Sequence, residues 1–174
     1  PPARCATEAA AELAAEAFAD TSFVQTIAKR IAEWRRGGGT LTVVLARFEP
    51  AYADRAADDE SSPKRIRAAL QCARNSTRDM DLLTRWGNEG LAVLLPSTSA
   101  ADAKVVARRI RNALAKEADK LDGGVHSLSM SIGMAEGIEG NDANRVLERA
   151  WLALDVAQST GGASIFVHDG IKAV

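Results

Sequence analysis

The sequence predicts an α+β domain: a five-stranded, mostly antiparallel central sheet wrapped by helices. Three observations carry that expectation. Several short runs, LTVVLARF (41–48), HSLSMSIGMAEG (126–137) and ASIFVH (163–168), have strong β character. One further pair of strands within Arg78–Pro96 is joined by only a tight turn, Gly87-Asn88-Glu89-Gly90. The other connections are long enough, and periodic enough, to be helices. Hairpins mixed with helical crossovers define the class.

The elements follow in order. Residues 7–19 are rich in Ala and Glu; Thr7 can cap them, and Leu13, Ala17 and Phe18 share a stripe. We read residues 1–20 as a connector helix and 21–174 as the domain proper. A second helix, 22–36, buries Val24, Ile27, Ala28 and Ile31, and Gly37-Gly38-Gly39 ends it. The strand 41–48 is almost continuously apolar, as a central strand should be. Its acidic neighbour, Glu49, is expected past its end, in a polar loop 49–61. Ser62-Pro63 opens a helix with a capping serine and a first-turn proline, and Ile66, Ala69, Leu70 and Ala73 form its face. Arg78–Asp81 reads as the polar start of the first hairpin strand. A helix from Ser99 or Ala100 buries Val106, Ala107, Ile110 and Leu114. Asn141 can cap a last helix, 142–159, which Gly161-Gly162 stops.

Bulk properties narrow the function. The chain has 174 residues, 47% hydrophobic and 26% charged, with a formal net charge of −1. That balance suits a globular domain and offers no general affinity for nucleic acid, so any nucleotide site is local. Cys5 and Cys72 lack metal-ligand spacing and read as reduced thiols, which suits a cytoplasmic setting. No apolar run approaches the ~18 residues of a membrane span, and no contact with a membrane is expected. His126 and His168 are single, so structural or exposed roles are expected. Trp34, Trp86 and Trp151 are expected to pack. The triple glycine lacks the Lys-Ser/Thr of a phosphate loop. A chain opening PPARC without Met reads as a piece of a longer protein.

RWGNEGLAVLLPSTSAADAKVVARRIRNAL resembles the GGDEF domain of diguanylate cyclases, whose signature is an Arg-aromatic pair, Gly-Gly-Asp/Glu-Glu-Phe, then an apolar strand ending in Pro. SMSIGMA is similar to that family's downstream VSIGVA strand, and RVLERAWLALDVAQSTGG to its last helix. The likeness spans roughly residues 21–168. It implies a palm-like nucleotidyl cyclase fold. Active members join two GTP into cyclic di-GMP, each subunit of a dimer holding GTP with two Mg²⁺.

The signature is degenerate here. Gly87, Asn88, Glu89, Gly90 and Leu91 occupy its five positions. Two-metal chemistry needs carboxylates that clamp both ions. The hairpin carboxylate survives as Glu89, whereas the strand aspartate falls on Ala46. The phosphate-contacting Lys and Arg of the last helix fall on Gln158 and Gly162, and the guanine contacts near Asp54 and Pro63. The family's DxLTGLxNR opening is missing, with DTSF (20–23) standing where its last part belongs. The resemblance therefore implies an inactive homologue with no catalytic residue, no resident metal beyond a vestigial Glu89, and Mg²⁺ only if GTP binding persists.

An Arg-x-x-Asp product site ends five residues before the motif in many members; here Arg78 and Asp81 fit that count, and Arg109 fits the arginine of the following helix. An arginine fork suits phosphate or the guanine O6/N7 edge, and a carboxylate suits guanine N1–H and N2–H₂. The expected function is a cyclic di-GMP receptor module, with a homodimer and an upstream sensory or regulatory domain as partners. The alternatives are a non-binding dimerisation scaffold, or a weak cyclase or GTP-binding regulator using Glu89. Arg108, Arg109 and Arg111 equally fit an exposed helix face.

Overall fold

The computed structural model describes residues 21–49, 62–87, 90–121 and 129–174. Among the described residues nine elements follow in order: α1 Thr21–Arg35, β1 Leu41–Glu49, α2 Ser62–Ser76, β2 Leu82–Trp86, β3 Gly90–Pro96, α3 Ala100–Leu121, β4 Ser129–Glu136, α4 Ala143–Ser159 and β5 Ile165–His168. The strands form one sheet in the order β2-β3-β1-β4-β5. β1 is central and antiparallel to both neighbours, opposing Ala46 to Leu91 on β3 and to Ile132 on β4. Among the described strands only the β4–β5 pair is parallel, and α4 is its crossover. The expected α+β class and five-stranded sheet are observed.

Alternation along β1 divides the core. Leu41, Val43 and Leu45 face α1 and α4, where they meet Phe23, Ile27, Ile31, Val146, Ala150 and Leu154. Val44, Ala46 and Phe48 face α2 and α3 and meet Ala69, Ala73, Ala107, Ile110 and Leu114. Burial on both faces explains the continuous apolar run of β1. Helix α4 lies so close to β4 that a Cβ on Gly133 would stand 2.1 Å from the Leu154 nitrogen and 2.4 Å from the Ala150 oxygen. The glycine of the SMSIGMA string is thus a point of close helix–sheet approach.

Several expectations need correction. Asp142, not Asn141, caps α4: its Oδ1 accepts from the Arg145 N–H at 2.8 Å. Asn141 is buried and turns its own Oδ1 to Arg149 at 2.7 Å. Glu49 is the last residue of β1 rather than part of the loop. Arg78–Asp81 is a turn that precedes β2, not the start of a strand. The glycine stop holds: Gly37 takes φ +92°, and the Gly37 and Gly38 amides donate to the carbonyls of Trp34 and Glu33 at 2.9 and 3.1 Å. The connector helix in 1–20, Cys5, His126, most of the 49–61 loop with Asp54, and Asn88 and Glu89 lie outside the described residues.

Candidate functional site

The turn before β2 is closed twice. The Asp81 amide donates to the Arg78 carbonyl at 3.0 Å, and the Arg78 amide donates to Asp81 Oδ2 at 2.7 Å. One oxygen of the carboxylate therefore builds the turn, which fixes where Arg78 leaves the backbone. The other, Oδ1, is buried and has no hydrogen-bond partner among the described residues. Arg78 itself is exposed.

Arg109 arrives from α3. Its guanidinium donates to the Ser76 carbonyl at the end of α2, where unsatisfied carbonyls favour a cation. The start of α3 is held in turn by three groups. Asp102 N–H donates to Ser99 Oγ at 3.2 Å, Ser99 Oγ donates to Asp102 Oδ2 at 2.8 Å, and the Ala100 amide donates to Glu136 Oε2 at 2.8 Å. Thr40 Oγ1 donates to the other Glu136 oxygen at 2.9 Å, tying this helix start to the foot of β1.

These supports bring Arg78 and Arg109, distant in sequence, to one cleft of about 470 Å³. Asn75–Arg78 form one wall, and Ser97, Thr98, Asp102, Val105, Val106 and Arg109 the other. Asp81 is not part of the lining; it stands at the far end of the Arg78 turn. Sequence reasoning missed Ser97, Thr98 and Asp102. Ser97 and Thr98 stand in a polar turn after Pro96, which marks a loop and not a site, and Asp102 reads only as an acid in the first turn of α3. Of the neighbouring arginines, Arg108 is exposed, and Arg111 donates to the Ala163 carbonyl at 2.8 Å, which anchors the start of β5.

The hairpin signature is arranged differently. Gly87 takes φ +58° in open space, while a Cβ on Gly90 would stand 2.7 Å from the Trp86 carbonyl oxygen and 3.0 Å from both the Ala46 oxygen and the Trp86 ring. Leu91 is buried against α2 and α3. Trp86 meets Trp151 edge-on, 5.4 Å between centroids, and the Arg47 guanidinium lies 5.7 and 5.8 Å from the two rings. Trp86 and Trp151 thus pack as expected, and Trp34 is half-buried. Ala46 is buried and carries no ligand for a metal. Gln158 is half-buried, and Gly162 takes φ +76°. No cluster of three or more His, Cys, Asp or Glu suited to a metal occurs among the described residues.

A mixed five-stranded sheet centred on β1 with helices on both faces is the fold seen in GGDEF domains. The chain belongs to the GGDEF family; the family model described as diguanylate cyclase, GGDEF domain, matches residues 64–164. It is similar to diguanylate cyclase A of Treponema denticola, at 33% identity over 89 residues, 51% of this chain and 24% of that protein. The chain therefore spans about a quarter of that relative. It shares its fold with the GGDEF domain of DgcB from Caulobacter crescentus in complex with c-di-GMP, at TM-score 0.74 and 19% identity over 85% of this chain and 89% of that one. The active GGEEF domain of a Vibrio cholerae diguanylate cyclase gives TM-score 0.75 and 16% identity over 83% and 93%. No helix among the described residues is long and apolar enough to cross a membrane.

Proposed function

We propose that this domain is a catalytically inactive GGDEF domain that binds cyclic di-GMP in the Arg78–Arg109 cleft and passes the binding on as a signal. The observation that carries the reading is the convergence of the two arginines, from separate elements, on one cleft of about 470 Å³. Each fork can take a phosphate or the O6/N7 edge of a guanine. Asp81 serves the site indirectly: its Oδ2 accepts from the Arg78 amide and fixes the turn that carries the arginine, while its buried Oδ1 lies outside the cleft lining. A stacked ligand dimer in an open cleft would crosslink two such domains, or this one to a neighbour in a longer protein. Differential affinity for two arrangements then shifts the output.

Inactivity follows from chemistry at three positions. Ala46 offers no carboxylate to partner Glu89, and Gln158 and Gly162 leave triphosphate charge uncompensated. A second reading, a scaffold that binds nothing, draws support from the intramolecular partners of Arg109 and Asp81. Titration calorimetry separates the two. The receptor reading expects heat of binding with cyclic di-GMP that Arg78→Ala weakens at least about tenfold, the loss of one charge-assisted contact. No heat at about 100 µM ligand, which corresponds to only ~5.5 kcal/mol, favours the scaffold. Incubation with GTP and Mg²⁺ should yield no cyclic di-GMP; product that Glu89→Ala abolishes would make the domain an enzyme.

A further inference from the structure

Ser97 joins β3 to α3 in the left-handed region, at φ +51°. Side chains rarely adopt that conformation, and glycine would adopt it without the steric cost. The structure around it keeps it there. Gly39 has no room for a Cβ, which would stand 2.6 Å from Ser97 Oγ and 3.0 Å from its Cβ. The next residue, Thr98, is pinned at both ends: its hydroxyl donates to the Pro96 carbonyl at 2.9 Å, and its carbonyl accepts from the Thr42 hydroxyl at 2.8 Å. The Ser97 hydroxyl, by contrast, makes no hydrogen bond among the described residues, although Ser97 is exposed and lines the cleft with Arg78 and Arg109.

A left-handed residue is not by itself a functional mark. Ala163 shares the same φ, but it follows Gly161-Gly162 and has no polar side chain to offer. At Ser97 three observations coincide: a strained backbone, a hydroxyl with no protein partner, and a position in the cleft wall. Strain of this kind persists where its surroundings over-determine it, and it gathers at ligand clamps.

We propose that Ser97 is a ligand-contacting residue of the cleft, whose hydroxyl donates to a phosphate oxygen of the bound dinucleotide. The proposal rests on the cyclic di-GMP reading above. It makes the Pro96–Ser99 turn a third arm of the site, beside the Arg78 turn and the α3 arginine. Gly39 becomes a positioning residue, since a side chain there would crowd Ser97.

Calorimetry with cyclic di-GMP, run beside thermal melts of the same protein, tests this. Ser97→Gly relieves strain and removes the hydroxyl. It should raise the melting temperature by roughly 2–4 °C and weaken binding about tenfold. A purely structural serine would not give those opposite signs. Ser97→Asn tolerates the left-handed backbone and keeps a donor, so it should hold affinity within about threefold of the parent. Gly39→Ala, which displaces the turn, should lower affinity while Arg78 and Arg109 are untouched. Undiminished binding by Ser97→Gly, with the parent binding normally, overturns the Ser97 contact and leaves the receptor reading standing. A lower melting temperature for Ser97→Gly overturns the strain argument. No binding by the parent protein removes both proposals together.

Discussion

Arg149 is 2% exposed, and its guanidinium is met by neutral acceptors alone. It donates to the carbonyls of Glu136 and His168 and to Asn141 Oδ1, each at 2.7 Å, and approaches His168 Nδ1 at 3.4 Å. One side chain thus ties the end of β4, the loop before α4 and the end of β5. His168 Nδ1 also accepts from the Gly170 amide at 3.1 Å, so the neutral ring with its proton on Nε2 is the form that fits. Burial first, and then the Arg149 charge, hold His168 below the ordinary imidazole value. A histidine with a depressed folded value resists protonation in the native state while the unfolded chain takes up the proton. The contribution is therefore complete above the unfolded value of about 6.5 and is lost as pH falls below it, at no more than about 1.4 kcal/mol per pH unit. Urea titrations at pH 7.5 and 5.5 should show the parent losing more stability than His168→Asn, whose amide can accept the Gly170 N–H but does not titrate. Equal losses would exclude His168 as the source.

At the scale of elements, the β4–α4–β5 unit depends on one missing methyl group. Alanine at Gly133 would place its Cβ inside contact distance of the α4 backbone, where no side-chain rotation can relieve the clash. Gly133→Ala should cost about 3 kcal/mol in denaturant unfolding, against near-neutrality for Gly37→Asn at an open, left-handed site. The order of the elements was legible in the sequence because two-sided burial writes an unbroken apolar run into β1 and helical periodicity into α1 and α4. The Arg78 turn was not. Arg-x-x-Asp reads as a strand start until the Asp81 carboxylate is seen to fold back on the Arg78 amide. The α4 cap was misassigned by one residue, because Asn141 and Asp142 are both good caps and only the buried Arg149 decides which is needed elsewhere. The arginines could be paired from a family resemblance, whereas Ser97 could not, since a backbone angle leaves no mark in residue type.

For the molecule as a whole, the cleft lies on the α2–α3 side, with a wall from each helix and the β3–α3 turn behind it. A ligand there bridges elements that meet the sheet separately, and so it should stabilise the entire domain. Cyclic di-GMP at a hundredfold excess over its dissociation constant should add about 2.7 kcal/mol to unfolding, which a thermal melt would register as a rise of roughly 5–10 °C. Arg109→Ala should abolish that rise; its persistence would place the ligand elsewhere on the surface.

The closure around Gly90 limits which residues can stand there. The family's usual signature has a glutamate at this position, yet here the Trp86 carbonyl, the Trp86 ring and the Ala46 carbonyl occupy the space where any side chain would begin. A single codon change to glutamate here would therefore have to move the Trp86 backbone and crowd β1, so the cost lies in the fold of the hairpin and not in one side chain.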